Sequence, residues 1–229
     1  MKLKKNKRGN RLKVRWFQIQ LFRWFKLNNR QFLWRKRNCT KYQSIIAEVL
    51  LQRTNAETVS RFYPRFIRKY PSWKALALAK KKDLQAFLKP IGLWRRKATA
   101  IKKLSIEMAK RNGRFPKRRE EIEKIPAVGQ YIANAVLMFC HGQPQPLLDV
   151  NMARVLERFF GPRKLADIRY DPYLQDLSHK ILPKENAKEF NWAILDFASL
   201  ICKARKPLCL KCLLKTKCRY FNKEKRVVK

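Results

Sequence analysis

Apolar residues along this 229-residue chain recur mostly at three- and four-residue spacing. That period places side chains on one face of an α-helix, and strand-like alternation is rare, so the pattern predicts an all-α protein. Residues 14–27, VRWFQIQLFRWFKL, set Val14, Phe17, Leu21 and Phe25 on one face of a core-packing helix, with a membrane-surface helix as the alternative. A linker containing RQFLWR follows. Short helices are then expected at 42–52, 56–70, 74–79, 82–89, 94–111, 118–124 and 129–141, with Pro64, Pro71, Pro90, Pro116 and Pro126 as punctuation. Helices at 151–160, 171–182 and 187–201 complete the series, the last delivering the chain to Cys202. No repeat of solenoid period and no long low-complexity linker interrupts it.

Composition changes this picture in one respect. Hydrophobic residues make up 46% of the chain, enough for one domain or two small ones. Against 16 Asp and Glu, however, stand 56 Lys and Arg, a formal charge of +40. Such an excess implies a polyanionic partner. Nucleic acid is the usual one and anionic lipid the alternative. Residues 1–13 are expected to form a flexible basic arm and residues 221–229 a basic tail. No apolar run approaches the roughly 18 residues of a spanning helix. The apolar segment after the basic start is broken by Arg23, unlike a signal peptide. A cytoplasmic, nucleoid-associated chain without membrane contact is therefore expected, in which clustered cysteines suggest metal rather than disulfide.

Four of the six cysteines, Cys202, Cys209, Cys212 and Cys218, follow the pattern C-x6-C-x2-C-x5-C. Structural zinc sites usually pair two C-x2-C knuckles, whereas here one such pair is flanked by longer spacers. That arrangement favours a loop wrapped around a [4Fe–4S] cluster, with zinc or uncoordinated thiols as alternatives. Upstream, IPAVGQY joins a short helix to an apolar one: Pro126 stops the first, and Gly129 lets the backbone open onto the second. The free N–H groups of such a helix start can hold a phosphate, the outline of a helix–hairpin–helix. Among the few acids, Glu48, Asp149 and Asp196 lie in apolar surroundings, where a carboxylate is costly unless it has partners or a task. Asp196 reads as structural, bonded to backbone or to an arginine. Asp149 reads either as a helix cap beside Asn151 or as a reacting group.

IPAVGQY, then LLDVN, then the cysteine pattern together resemble the helix–hairpin–helix DNA glycosylases of the endonuclease III superfamily over residues 14–220. FLWR at 32–35, AEVLLQRT at 47–54, IGL at 91–93 and NWAILDFASLIC at 191–202 match as well. The resemblance implies two helical domains with the DNA site between them. One is a six-helix barrel with the hairpin, residues 39–144. The other is an iron–sulfur domain from residues 14–38 and 145–220. Endonuclease III enzymes place a Schiff-base lysine where this chain has Tyr131, which cannot form one. The chain is thus similar to the monofunctional mismatch-specific thymine/uracil-DNA glycosylases.

By that resemblance Asp149 stabilises positive charge on the sugar, Glu48 assists departure of the flipped base, and Tyr131 lines the pocket. Ala127, Val128 and Gly129 grip the DNA backbone, and Gln52 and Arg53 fill the gap left in the duplex. The expected partner is double-stranded DNA with a mismatched or damaged base, bound by a monomer. Adenine excision, or excision of another damaged or modified base, is the enzymatic alternative, although adenine glycosylases carry a further C-terminal domain and this chain stops soon after Cys218. A DNA-binding protein that kept the fold, or a basic RNA-associated protein, are the non-enzymatic ones. The family hairpin usually reads L-P-G-V-G, and Ala127 replaces its first glycine. If that position needs positive φ, alanine costs about 1 kcal/mol or more.

Overall fold

The computed structural model describes the backbone of residues 2–227 and the side chains of residues 11–223. Among the described residues there is no strand. Contacts divide the chain into two compact units, Met1–Arg30 with Pro144–Lys229, and Gln31–Gln143.

The first unit is built on α1 (Lys2–Asn28), α9 (Val150–Phe160), α10 (Pro172–Lys180), α11 (Ala187–Leu200) and α12 (Arg219–Val227). Its core joins Phe17 and Leu21 of α1 to Met152, Leu156 and Phe159 of α9 and to Phe190, Ile194 and Phe197 of α11. Each such side chain, when fully buried, contributes roughly 1.5–3 kcal/mol of transfer free energy. Rings interlock at this seam: Phe17 lies 4.8 Å from Phe159, and Trp24 meets Phe197 edge-on at 5.2 Å. The core-packing reading of residues 14–27 therefore holds.

Residues 2–13, expected as a flexible basic arm, carry helical backbone continuous with the rest of α1, and Lys13 shows one reason. Its stem reaches α9, where the ammonium donates to Phe159 O at 3.3 Å and lies 4.9 Å from that ring. Lysine, arginine and leucine are good helix formers even where no apolar stripe announces a helix. The same holds at the other end, where the tail expected at 221–229 is helical through Val227. Residues 228 and 229 lie outside the described residues.

The second unit holds α2 (Lys41–Leu51), α3 (Ala56–Lys69), α4 (Trp73–Leu78), α5 (Lys81–Leu88), α6 (Trp94–Lys110), α7 (Arg119–Glu123) and α8 (Gln130–His141). Local chemistry starts several of them. Thr40 and Gln43 form a reciprocal capping box at α2, Asn55 caps α3, and Ser72 caps α4. Pro64, expected as punctuation, lies inside α3. RQFLWR is not a linker: Phe32 and Trp34 stack at 4.5 Å and Trp34 meets Tyr63 at 5.3 Å, which ties the segment into this unit. The division accordingly falls at residue 31. Among the described residues no helix is long and apolar enough to cross a membrane.

Candidate active site and its supporting loops

α2 and α8 bring two of the expected site residues together. Glu48, 4% exposed, sits in the apolar run IIAEVLL of α2. Tyr131, in the first turn of α8, donates its hydroxyl to Glu48 Oε2 at 2.7 Å. Burying a carboxylate is expensive unless its charge is met by donors, so this bond helps keep Glu48 inside the unit.

The hairpin that starts α8 is set by backbone geometry. Val128 N bonds Ile125 O at 3.1 Å, and Arg119 of α7 donates to Asn134 of α8 at 2.5 Å, tying the two hairpin helices. Gly129 is the N-cap of α8 but has ordinary extended backbone, φ −93°, so the opening attributed to it needs no glycine. The left-handed residue is Ala127, φ 68°. Removing that strain in Ala127→Gly should raise stability by about 0.5–1 kcal/mol, net of the entropy that glycine adds to the unfolded chain. Urea unfolding checks this, and a less stable variant would mean that the alanine methyl makes a compensating contact.

Asp149, in the first unit, is the N-cap of α9. Its Oδ1 accepts the N–H groups of Asn151 and Met152 at 2.9 and 2.8 Å, and its Oδ2 accepts the Asn151 amide at 2.6 Å. The cap reading is therefore correct as geometry. It does not exhaust the residue, because burial pushes the carboxyl above its ordinary value despite those hydrogen bonds and the nearby Arg154. A capping carboxylate kept desolvated carries its charge at a cost.

Two residues that sequence reasoning gave no role hold this carboxylate in place. Asn191 of α11 accepts Leu147 N at 2.7 Å and donates to Gln145 O and Ala187 O, which fixes the strand of chain approaching Asp149. Arg154 donates to Asn151 Oδ1 at 3.1 Å, to Ala198 O at 3.0 Å and to Cys202 O at 2.9 Å. Asp149, Asn151, Arg154 and the Cys202 carbonyl thus form one hydrogen-bonded chain. The signal was present as helical spacing, since Asn151, Arg154 and Arg158 share a face of α9. Asp196 is structural as read: Arg30 donates to it from its backbone N at 2.9 Å and its Nε at 2.8 Å.

Cys202, Cys209, Cys212 and Cys218 line a single pocket with Arg158, Ile201, Leu208 and Tyr220. All four are free thiols. Burial, followed by the crowding of Cys202, Cys218 and Cys209, pushes the Cys212 thiol up to about 12, a strain that bound cationic irons would reverse. Among the described residues no three His, Cys, Asp or Glu side chains converge on the position of one metal ion. A four-iron cluster takes one thiolate per iron, so its ligands line a cavity rather than converge; the donor set fits such a group. Arg158 pins the loop by donating to Lys203 O at 2.7 Å and Ala204 O at 3.1 Å.

Gln52 and Arg53 are exposed on the turn after α2, where Arg53 has φ 56°.

Comparison with known proteins agrees with this geometry. The profile "HhH-GPD superfamily base excision DNA repair protein" matches residues 46–177. A thymine-DNA glycosylase of Aeropyrum pernix is 37% identical over 210 residues, 90% of this chain and 94% of that protein. A thymine/uracil-DNA glycosylase of Pyrobaculum aerophilum is 36% identical over 92% of this chain and 94% of its own length. Among solved structures, a thermostable thymine-DNA glycosylase superposes with a TM-score of 0.85 at 30% identity, covering 94% of this chain and 99% of that one. With its hairpin, its buried carboxylates and this likeness along nearly its whole length, the chain belongs to the HhH-GPD superfamily of base excision DNA repair proteins.

Proposed function

We propose that the protein is a monofunctional DNA glycosylase that hydrolyses the N-glycosidic bond of thymine or uracil mispaired with guanine. The observation that carries this reading is the pair Tyr131–Glu48. The position that would supply a Schiff-base amine holds a phenol, and that phenol is bonded to a buried carboxylate. Strand cleavage through a covalent amine adduct is therefore not available to Tyr131, and water is the nucleophile. The named relatives point to the same pair of bases.

In this mechanism the mismatched base leaves the stack, which costs less than opening a matched pair. As the bond to the base lengthens, positive charge develops on the sugar. Asp149 meets that charge and orients or deprotonates the attacking water. Capping bonds from Asn151 and Met152 hold its oxygens still, so little reorganisation is needed at the moment of reaction. Glu48, held by Tyr131, assists departure of the base through a proton or a water. The hairpin at Ala127, Val128 and Gly129 offers the backbone N–H groups of the α8 start to a DNA phosphate. Cys202, Cys209, Cys212 and Cys218 would hold a [4Fe–4S] cluster, whose part here is to organise the loop carrying Lys203, Arg205 and Lys206.

The test is base release from labelled duplexes holding G·T, G·U, A·U, G·A or 8-oxoguanine·A, each with and without alkali. Strands cut at G·T and G·U only after alkali are the expected result. Cutting at the adenine-containing mismatches would move the enzyme to the adenine branch, and cutting without alkali would make it a lyase. The same preparation should contain about four irons with matching sulfide per chain; zinc alone would overturn the cluster assignment.

A further inference from the structure

Two surface turns of the second unit carry backbone strain side by side. Arg53 (φ 56°) lies on one, Gly92 (69°) and Leu93 (48°) on the other. Arginine and leucine in the left-handed region cost about 1 kcal/mol or more each, so something must hold them there. Both turns also present large side chains outward: Gln52 and Arg53 are exposed, and Leu93 is 40% exposed.

Lys97, in the first turns of α6, joins the two. In a chain of 56 cations it is buried, 4% exposed. Its ammonium donates to Leu50 O at 2.7 Å, to Gln52 O at 3.0 Å and to the Thr54 hydroxyl. An ammonium has three donors, and each has found an acceptor. Two of these acceptors are carbonyls at the C-terminal end of α2, where the helix dipole is negative. The Thr54 hydroxyl in turn donates to Ile91 O at 3.0 Å, and the Lys97 backbone N bonds Leu93 O at 2.9 Å. Burial brings the Lys97 pKa down to about 8, the mark of a charge kept at some expense.

Resting on the glycosylase reading above, we propose that Lys97 is a positioning residue for base opening. It locks the Gln52–Arg53 turn to the Gly92–Leu93 turn, so that their exposed side chains meet the duplex at fixed spacing. Opening a base pair costs a few kcal/mol. A probe that had to be ordered at that moment would add its own conformational entropy to this cost, and one ordered beforehand does not. The role differs from simple helix capping, and the same helix supplies the comparison. Lys102, also on α6, donates to Ala77 O and, at 2.6 Å, to Ala79 O at the end of α4, so it caps a helix without joining the two strained turns.

The experiment measures single-turnover release of uracil from two duplexes, G·U and uracil opposite an abasic site, where no partner has to be parted. Lys97→Met should slow release from G·U by about tenfold or more while changing release from the unpaired site by less than about threefold. Thr54→Val, which removes only the bridging hydroxyl, should move the ratio the same way by a smaller factor and keeps the question open to test if Lys97→Met does not fold. Lys102→Met should lower stability and leave the ratio unchanged. An equal loss on both substrates, no loss on either, or the same ratio change in Lys102→Met would overturn the role. Wild-type protein that releases neither base from any duplex sinks the glycosylase reading itself, and the proposal with it; that failure shows in the wild type and not in the variants.

Discussion

Asp149→Asn should release base at least on the order of 10³-fold more slowly than the wild type while melting at the same temperature or higher. The two halves of this result come from one geometry. As the N-cap of α9, Asp149 accepts N–H groups from Asn151 and Met152, and an asparagine oxygen accepts them equally well. The backbone cap therefore survives the substitution, and what is lost is the charge together with the Asn151 amide bond to Oδ2. Burial raises the Asp149 carboxyl above its ordinary value. For an acid whose pKa is higher folded than unfolded, the ionised form opposes folding. That penalty is complete above the folded pKa and vanishes as pH falls below the unfolded one. At neutral pH the penalty is present, and Asp149→Asn removes it. In the proposed mechanism, stability is thus given up at this position in favour of a carboxylate that would meet positive charge on the sugar. The pH profile of the wild type should agree, with activity falling as pH drops through a pKa above the ordinary aspartate value of 3.8. Single-turnover rates and thermal melts on the same preparation decide the matter. Near-normal turnover would reduce Asp149 to a cap, and inactivity with a lowered melting temperature would make the loss a folding effect.

The parts of this site differ in how visible they are in the sequence, and the reason is physical. Helices such as α2, α6 and α8 lie within a residue or two of the positions expected from apolar spacing, because that spacing and the caps beside it are the forces that form them. The beginning of α1 and all of α12 leave no such trace. Both are basic segments in which helix propensity stands in for an apolar stripe, helped in α1 by the Lys13 stem along Phe159. Glu48, Asp149 and Asp196 stood out because an acid is rare in this chain, and a rare acid in an apolar run must be explained. Lys97 is as deeply involved and was invisible, since one cation among 56 carries no signal until its surroundings are known, whereas Arg154 showed only through the face of α9 that it shares with Asn151 and Arg158. The strain at Ala127 lies between these cases: the departure from glycine was legible, but whether it cost anything depended on the φ of 68°.

DNA affinity should fall steeply with salt, by roughly 10³–10⁵ between 50 and 200 mM if six to ten phosphates are contacted. The prediction follows from where the charges are. Several of the 16 acids are already engaged within the chain, as in Asp196 with Arg30, Glu107 with Arg111 and Asp167 with Arg169, so they cancel few of the remaining cations. Lys203, Arg205 and Lys206 are exposed on the cysteine loop, and that loop is fixed rather than loose, since Arg158 binds the carbonyls of Lys203 and Ala204. Cations held on a fixed loop can each displace a counterion from a definite phosphate. Replacing Arg205 or Lys206 by alanine should therefore reduce the slope of log K against log salt by about one each, with equal effect on matched and mismatched duplexes. Asp149→Asn leaves these contacts untouched and should keep the wild-type slope while losing base release. A flat salt dependence would separate the +40 charge from DNA altogether, and a loop variant that weakened only mismatched duplexes would make these side chains readers of the lesion rather than anchors on the backbone.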